Sequence, residues 1–311
     1  MALARRGDHR HPSFGGRTLR QGRKDARSVS CPADGEGRDG TSRRRPMHHG
    51  MPMGEKRADR AMTRLSGERS PFLSADPLSS VISEGAEPVR RRLDLLSPGL
   101  SEVIGLRHQR FATRLVRARR EIVRDGDLPT GIHAVRGGWA AFARHFPDGR
   151  RQIQHLLVPG DLLVLDRRMP FPATILALTP VTLIDLDGPL GADLDQFDAA
   201  LRRNTGLTVQ YLLNGTARLG RQSAIERFAH LLLELRDRLG EVGLGTPAGF
   251  ELPLTQEMLA DTLGLTSVHV NRTLQAMRQQ KLIALAGREV TLLRPDLLIQ
   301  LADYQPVSGG A

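Results

Sequence analysis

The stretch LTQEMLADTLGLTSVHVNRTLQAMRQQKLIALAGREVTLLR, residues 254–294, decides the fold of the C-terminal part of this chain. It holds two short helical runs separated by Gly264. Leu259, Leu263, Leu265, Val270 and Leu274 supply apolar contacts from both runs and the turn, and Ala260 is small where the second run must pass closely. Gly264 sits where the first helix ends, a position that usually takes a left-handed backbone. Thr255 and Thr266 each precede a helical run, where a hydroxyl can satisfy amides left open by the first turn. An ordinary αα-hairpin shares the glycine turn. Here, however, Gln279-Gln280-Lys281-Leu282-Ile283 is followed by Ala284 to Leu293, a hairpin pattern turning at or near Gly287. Helix pair, caps, turn and wing agree on a winged helix-turn-helix over residues 250–303, which presents its second helix to a DNA major groove.

Charge adds less to this than its total suggests. The 311 residues carry a net +11, yet residues 1–75 hold 17 Lys+Arg against 8 Asp+Glu, while the rest hold 28 and 26. Arg outnumbers Lys 42 to 3, a bias that base composition of the coding DNA produces, so the nucleic-acid expectation rests on the motif. Residues 1–75 are rich in Arg, Gly, Ser and Pro without apolar periodicity and are expected to be disordered. Met47, Met51, Met53 and Met62 offer later starts. A solvated tail and a basic arm adding non-specific phosphate contacts both fit this segment. Its His9/His11 and His48/His49 pairs lack a metal-ligand spacing, and no metal is expected. Cys31 is the only cysteine, which rules out an intramolecular disulfide and a four-cysteine zinc or iron–sulfur site within one chain. There is no run of eighteen apolar residues and no apolar core of secretory type, so a cytoplasmic protein without a membrane span is expected.

Between about 108 and 190 the pattern changes to short strand candidates separated by Gly and Pro turns: Arg119–Val123, His133–Val135, Trp139–Phe146, Arg151–Val158, Ile175–Leu178 and Val181–Leu186. Such spacing predicts a small antiparallel barrel or sandwich, serving either as a dimerisation module or as a sensor with a pocket. Helix follows over 193–239, where Ile225, Phe228, Ala229, Leu232, Leu235 and Leu239 share one face. Leu201, Thr208, Leu212, Gly215 and Leu219 follow a three-to-four spacing that can pair with its own copy. Gly220 is a hinge candidate, and Gly243, Gly245, Pro247 and Gly249 read as a loop.

Leu254 through Ile283 resembles the DNA-binding domain of the Crp–Fnr regulators, named for the cyclic-AMP receptor protein and the fumarate-nitrate reductase regulator. Upstream, Gly126-Asp127, Gly137-Gly138-Trp139, Asp148-Gly149-Arg150-Arg151-Gln152 and Pro159-Gly160-Asp161 resemble successive turns of that family's β-roll. The resemblance covers about residues 95–303. It implies an α+β chain: a jelly-roll-type antiparallel β-roll over 95–190, a dimerisation helix and linker over 193–240, and the winged helix-turn-helix. Carried over by position, it implies base readout by Ser267, Val268, Asn271 and Arg272. Arg272 has the fork to pair with guanine O6 and N7. Val268 stands where many members have Glu; it can touch a thymine methyl but accepts nothing from cytosine. Thr255, Thr266, His269 and Arg288 are candidates for phosphate contacts.

Cyclic-nucleotide binding in that family uses a Gly-Glu pair after the Gly-Asp turn, then an Arg and a small hydroxyl residue. Here Val164-Leu165 fills the first slot and Pro172 precedes Ala173-Thr174 where Arg belongs. A phosphate without its Arg loses a charge-assisted contact, roughly 2 kcal/mol. No cyclic nucleotide is therefore expected as cofactor, although Gly160, Asp161, Arg167, Arg168 and Thr174 remain a candidate effector pocket with Arg167 or Arg168 as a displaced substitute. A haem held without cysteine stays open. No His-Glu-x-x-His, Walker loop, Gly-x-Ser-x-Gly or carboxylate cluster points to an enzyme. The expected function is a homodimeric, sequence-specific regulator of transcription acting on a palindromic DNA site without cyclic AMP, with double-stranded DNA, a second copy of itself and RNA polymerase as partners. The competing expectation is a small-molecule sensor whose helix-turn-helix does not read sequence.

Overall fold

The computed structural model describes residues 86–106, 111–166, 168–187 and 194–307. The basic segment 1–75, with Cys31 and the histidine pairs, lies outside them, as does Arg167. In chain order the elements are α1 (Glu87–Leu96), α2 (Leu100–Val103), β1 (Thr113–Val116), β2 (Glu121–Val123), β3 (Gly131–Gly137), β4 (Ala140–His145), β5 (Arg151–Leu157), β6 (Leu162–Leu165), β7 (Thr174–Ala177), β8 (Val181–Asp185), α3 (Leu194–Arg221), α4 (Ala224–Glu241), β9 (Gly245–Thr246), β10 (Gly249–Glu251), α5 (Gln256–Leu263), α6 (Ser267–Gln279), β11 (Ile283–Ala286), β12 (Glu289–Leu292) and α7 (Pro295–Ala302). Among them no helix is long and apolar enough to cross a membrane.

Strands β1–β8 form two antiparallel four-stranded sheets, ordered β1-β8-β3-β6 and β2-β7-β4-β5, the jelly-roll-type β-roll. Successive side chains on a strand point to opposite faces, and here both faces are covered. Val135, Ala140, Leu157, Leu163, Ile175, Ala177 and Leu183 meet between the sheets. Ala134, Leu162 and Ile184, on the other face of the first sheet, pack against Val89, Leu93 and Leu96 of α1 and Phe197, Ala200 and Leu207 of α3. Ala141, Ala143, Ile153, Leu156 and Leu176, on the other face of the second, join a core with Phe228, Leu232 and Leu235 of α4 and the helix-turn-helix. Two strands that alternation overlooks or truncates carry no polar residue on one face to reveal them. Leu162-Leu163-Val164-Leu165 is apolar throughout, and all four residues of β7 are buried. Strand β1 and helix α1 also lay outside the expected elements.

Three further expectations need correction. The helical stretch is two helices, and the join is Gln222–Ser223, where the Ser223 amide donates to Glu226 at 2.7 Å in a capping box. Gly220 lies inside α3. The stretch read as a loop before Leu252 contains β9 and β10, which extend the wing to a four-stranded sheet ordered β11-β12-β10-β9. Gly249 is required there: a Cβ would come within 2.3 Å of the Val290 carbonyl oxygen. On α3 the inward face is Phe197, Ala200, Asn204, Leu207, Tyr211, Gly215 and Arg218, all buried, so Gly215 faces this chain's own core. The outward face carries Thr205, Val209, Leu213 and Thr216.

Candidate nucleic-acid interface

Helix α5 begins at Thr255, whose hydroxyl oxygen accepts from the Met258 amide at 3.2 Å. It ends at Gly264, which takes φ +63° and donates its amide back to Ala260. Thr266 then caps α6 by accepting from the His269 amide at 3.2 Å. All three are the local signals read from the sequence. Inside the pair, Met258, Leu259 and Leu263 meet Val270 and Met277. Thr273 is buried beside them, and its hydroxyl donates to the His269 carbonyl at 2.9 Å.

Burying Val270, Thr273 and Met277 turns the opposite side of α6 outward. Ser267, Val268, His269, Asn271 and Arg272 are all exposed, and Val268 is 63% exposed despite being apolar. Val268 therefore contributes nothing to the packing of the helix pair. Among the described residues no carboxylate forms an ion pair with Arg272, so its guanidinium is not committed to a neighbour. Arg288 lies on the wing turn beside Gly287, loosely opposite Glu251 at 3.8 Å, and is largely solvated. Thr255 is exposed at the start of α5. It borders a cleft of ≈ 800 Å³ that also takes in Arg119, Arg120, Arg151 and Met258.

Of the five residues expected around an effector, the four described ones, Gly160, Asp161, Arg168 and Thr174, do not line one pocket. Gly160 is wedged against Pro88, Arg92 and Val242. Asp161 is buried, and its Oδ2 accepts from the Val158 amide at 2.7 Å and from Arg238 Nη2 at 2.5 Å. The Arg168 side chain is 87% exposed beside Asp166. Thr174 is buried in β7, its hydroxyl accepting from the Asp125 amide. Of these described residues, only Asp161 lines the small cavity between β5 and α3, whose ≈ 10 Å³ is room for about one water.

What sequence reasoning missed is the polar core behind Asp161. Arg238, a single percent exposed, also donates to the Leu156 carbonyl at 2.8 Å and lies 3.4 Å from Glu234. Glu234 in turn pairs with buried Arg218 at 3.1 Å. Arg92 reaches Glu241 at 2.9 Å. Burial opposes the charge on Arg238, but Asp161, Tyr211 and Glu234 outweigh it and hold the guanidinium firmly protonated. Its face lies 4.5 Å from the centre of the Tyr211 ring, which stacks on His155. Burial, and next the positive charges of Arg238 and Arg218, push His155 well below the usual imidazole range. This cluster ties α1, the β5–β6 turn, α3 and α4 together.

Two domain families match the chain: a Crp-like helix-turn-helix domain over residues 226–301 and a cyclic nucleotide-binding domain over residues 113–192. The nitrogen fixation regulation protein FixK of Bradyrhizobium diazoefficiens is 33% identical over 182 residues, covering 57% of this chain and 76% of that protein. The transcriptional activator protein FnrL of Cereibacter sphaeroides is 29% identical over 210 residues, 65% of this chain and 84% of its own length. In fold, the chain is similar to the structure of FixK2 from Bradyrhizobium japonicum, with a TM-score of 0.54 and 24% identity over 62% of this chain and 98% of that one. With the β-roll, the long helix and the exposed recognition helix in place, the chain belongs to the Crp–Fnr family of DNA-binding transcription regulators.

Proposed function

We propose that the protein acts as a homodimer, each copy laying the first turns of α6 in one of two successive major grooves of a palindromic site. The observation that carries this is the outward row Ser267, Val268, Asn271 and Arg272 on a helix otherwise anchored by Val270 and Met277. Arg272 reads a guanine through O6 and N7, and Val268 meets a thymine methyl. Thr255 and Thr266 use their hydroxyl oxygens as cap acceptors, which leaves each O–H to donate to a phosphate, with His269 and Arg288 beside them. The outward face of α3 supports the dimer: Val209 is 48% and Leu213 63% exposed on a helix whose other face is packed.

DNA binding proceeds without cyclic AMP. Leu165 is buried between the sheets, Phe171 packs edge-on against Phe142, and Asp161 is held by Arg238. Among the described residues at the expected slots, Leu165 offers a ribose hydroxyl no side-chain acceptor, and Pro172 offers a cyclic phosphate no donor. The protein works in the cytoplasm, regulates rather than catalyses, and engages RNA polymerase as its downstream partner.

Fluorescence anisotropy on a selected palindrome tests the readout. Arg272→Ala should weaken binding by about 1–3 kcal/mol and relax preference at one base pair per half-site. An unchanged affinity and base profile would remove Arg272 from the reading surface.

A further inference from the structure

The end of α5 is gripped by the β-roll. Arg151, the first residue of β5, donates from Nε at 2.8 Å and from Nη2 at 2.5 Å to Asp261 Oδ2, and both side chains are about four-fifths buried. Its neighbour Gln152 donates from Nε2 to the Asp261 carbonyl at 2.7 Å, and more weakly to that of Thr262. From α4, Arg227 takes the next carbonyl, Leu263, at 2.9 Å. The last carbonyls of a helix have no partner within it and carry partial negative charge. Here side chains from β5 and α4 take them. The adjoining turn is bounded on one side as well, since a Cβ on Gly264 would meet Leu219, Arg227 and Gln152.

We infer that Arg151 and Gln152 are positioning residues for DNA recognition: β5 of the β-roll sets the tilt of α5 and, through the Gly264 turn, of α6. Helix α5 is only about 12 Å long, so fixing its C-terminal end fixes the direction in which the recognition helix leaves. Two half-sites must be met at once, and a loosened tilt therefore blurs the preferred distance between them more than it weakens a single contact. This rests on the dimeric reading proposed above.

The test is binding of the full-length protein to a series of palindromes whose half-site spacing changes one base pair at a time. The wild type should prefer one spacing about tenfold or more over its neighbours. Arg151→Asp and Asp261→Arg should each reduce that preference severalfold, and the exchanged pair should restore it, a rescue that general destabilisation does not give. Gln152→Ala keeps the ion pair and should lose part of the preference, which carries the test if a charge reversal fails to fold. Wild-type protein that selects no sequence overturns the DNA reading and this inference together. Wild-type selectivity with an unchanged spacing profile in the folded variants overturns the inference alone.

Discussion

Replacing Asp161 should expose how much of this protein's stability runs through its buried charges. In Asp161→Ala the Val158 amide loses its acceptor, and Arg238 loses its shortest ionic contact while remaining almost fully buried. Glu234 at 3.4 Å and the Leu156 carbonyl stay in place, so the charge is only partly compensated. Arg92, 3.7 Å from Asp161, keeps Glu241 but loses its second neighbour. Stranding a buried charge by deleting its partner costs about 3–5 kcal/mol. Asp161→Asn retains an oxygen for the Val158 amide and should recover about 1 kcal/mol of that. Arg238→Met removes the charge that is stranded, so the double variant Asp161→Ala/Arg238→Met should be less destabilised than the two single variants added together. Urea unfolding at one fixed protein concentration measures all four, since a dimer's stability depends on concentration. A loss below about 1 kcal/mol in Asp161→Ala, or strict additivity in the double variant, would refute the idea that this cluster acts as one unit.

Three other outcomes follow from particular residues. Gly264→Ala puts a side chain at φ +63° and within 3.1 Å of Leu219; urea unfolding should show a loss of about 1–2 kcal/mol, and a neutral effect would mean the turn relaxes freely. Burial, followed by nearby guanidinium groups, lowers the proton affinity of His155 and His230 in the folded state. The unfolded chain takes up these protons below about pH 6.5 and the folded chain resists, so stability is complete above that pH. It falls by up to about 1.4 kcal/mol per pH unit per histidine as the pH drops towards the folded values. Unfolding midpoints between pH 7.5 and 5.5 should decline, less so in His155→Gln, and a flat wild-type profile would contradict the assignment. Leu213→Asp sets a charge on the exposed α3 face; light scattering should report a monomer that still folds, whereas an undisturbed dimer would place the interface elsewhere.

The parts of the fold legible in the sequence are those fixed by neighbouring residues. Thr255, Gly264 and Thr266 announce helix ends because caps act over three residues, and Gly287 announces the wing because its turn needs φ +61°. The family resemblance supplied the β-roll and the long helix, where strand patterns alone left barrel and sandwich open. Strand β6 escaped because all four of its residues are apolar, which erases alternation in the sequence even though Val164 is 40% exposed. Helix α1 escaped behind Arg90-Arg91-Arg92, a run that reads as surface although Arg92 is buried. Arg238 misleads in the same way from the last turn of α4. For Asp161, the Gly-Asp turn was visible, but its partner lies 77 residues away. The Arg151–Asp261 pair spans 110 residues, a separation that leaves no local trace.

Selection of bound sequences from a random duplex pool, with purified protein in the presence and absence of cyclic AMP, bears most directly on the central claim. Enrichment of one palindromic motif without the nucleotide, unchanged on adding it, is the expected result. Enrichment only with cyclic AMP would contradict the reading of Val164, Leu165 and Pro172, and no enrichment in either arm would contradict sequence-specific recognition by α6.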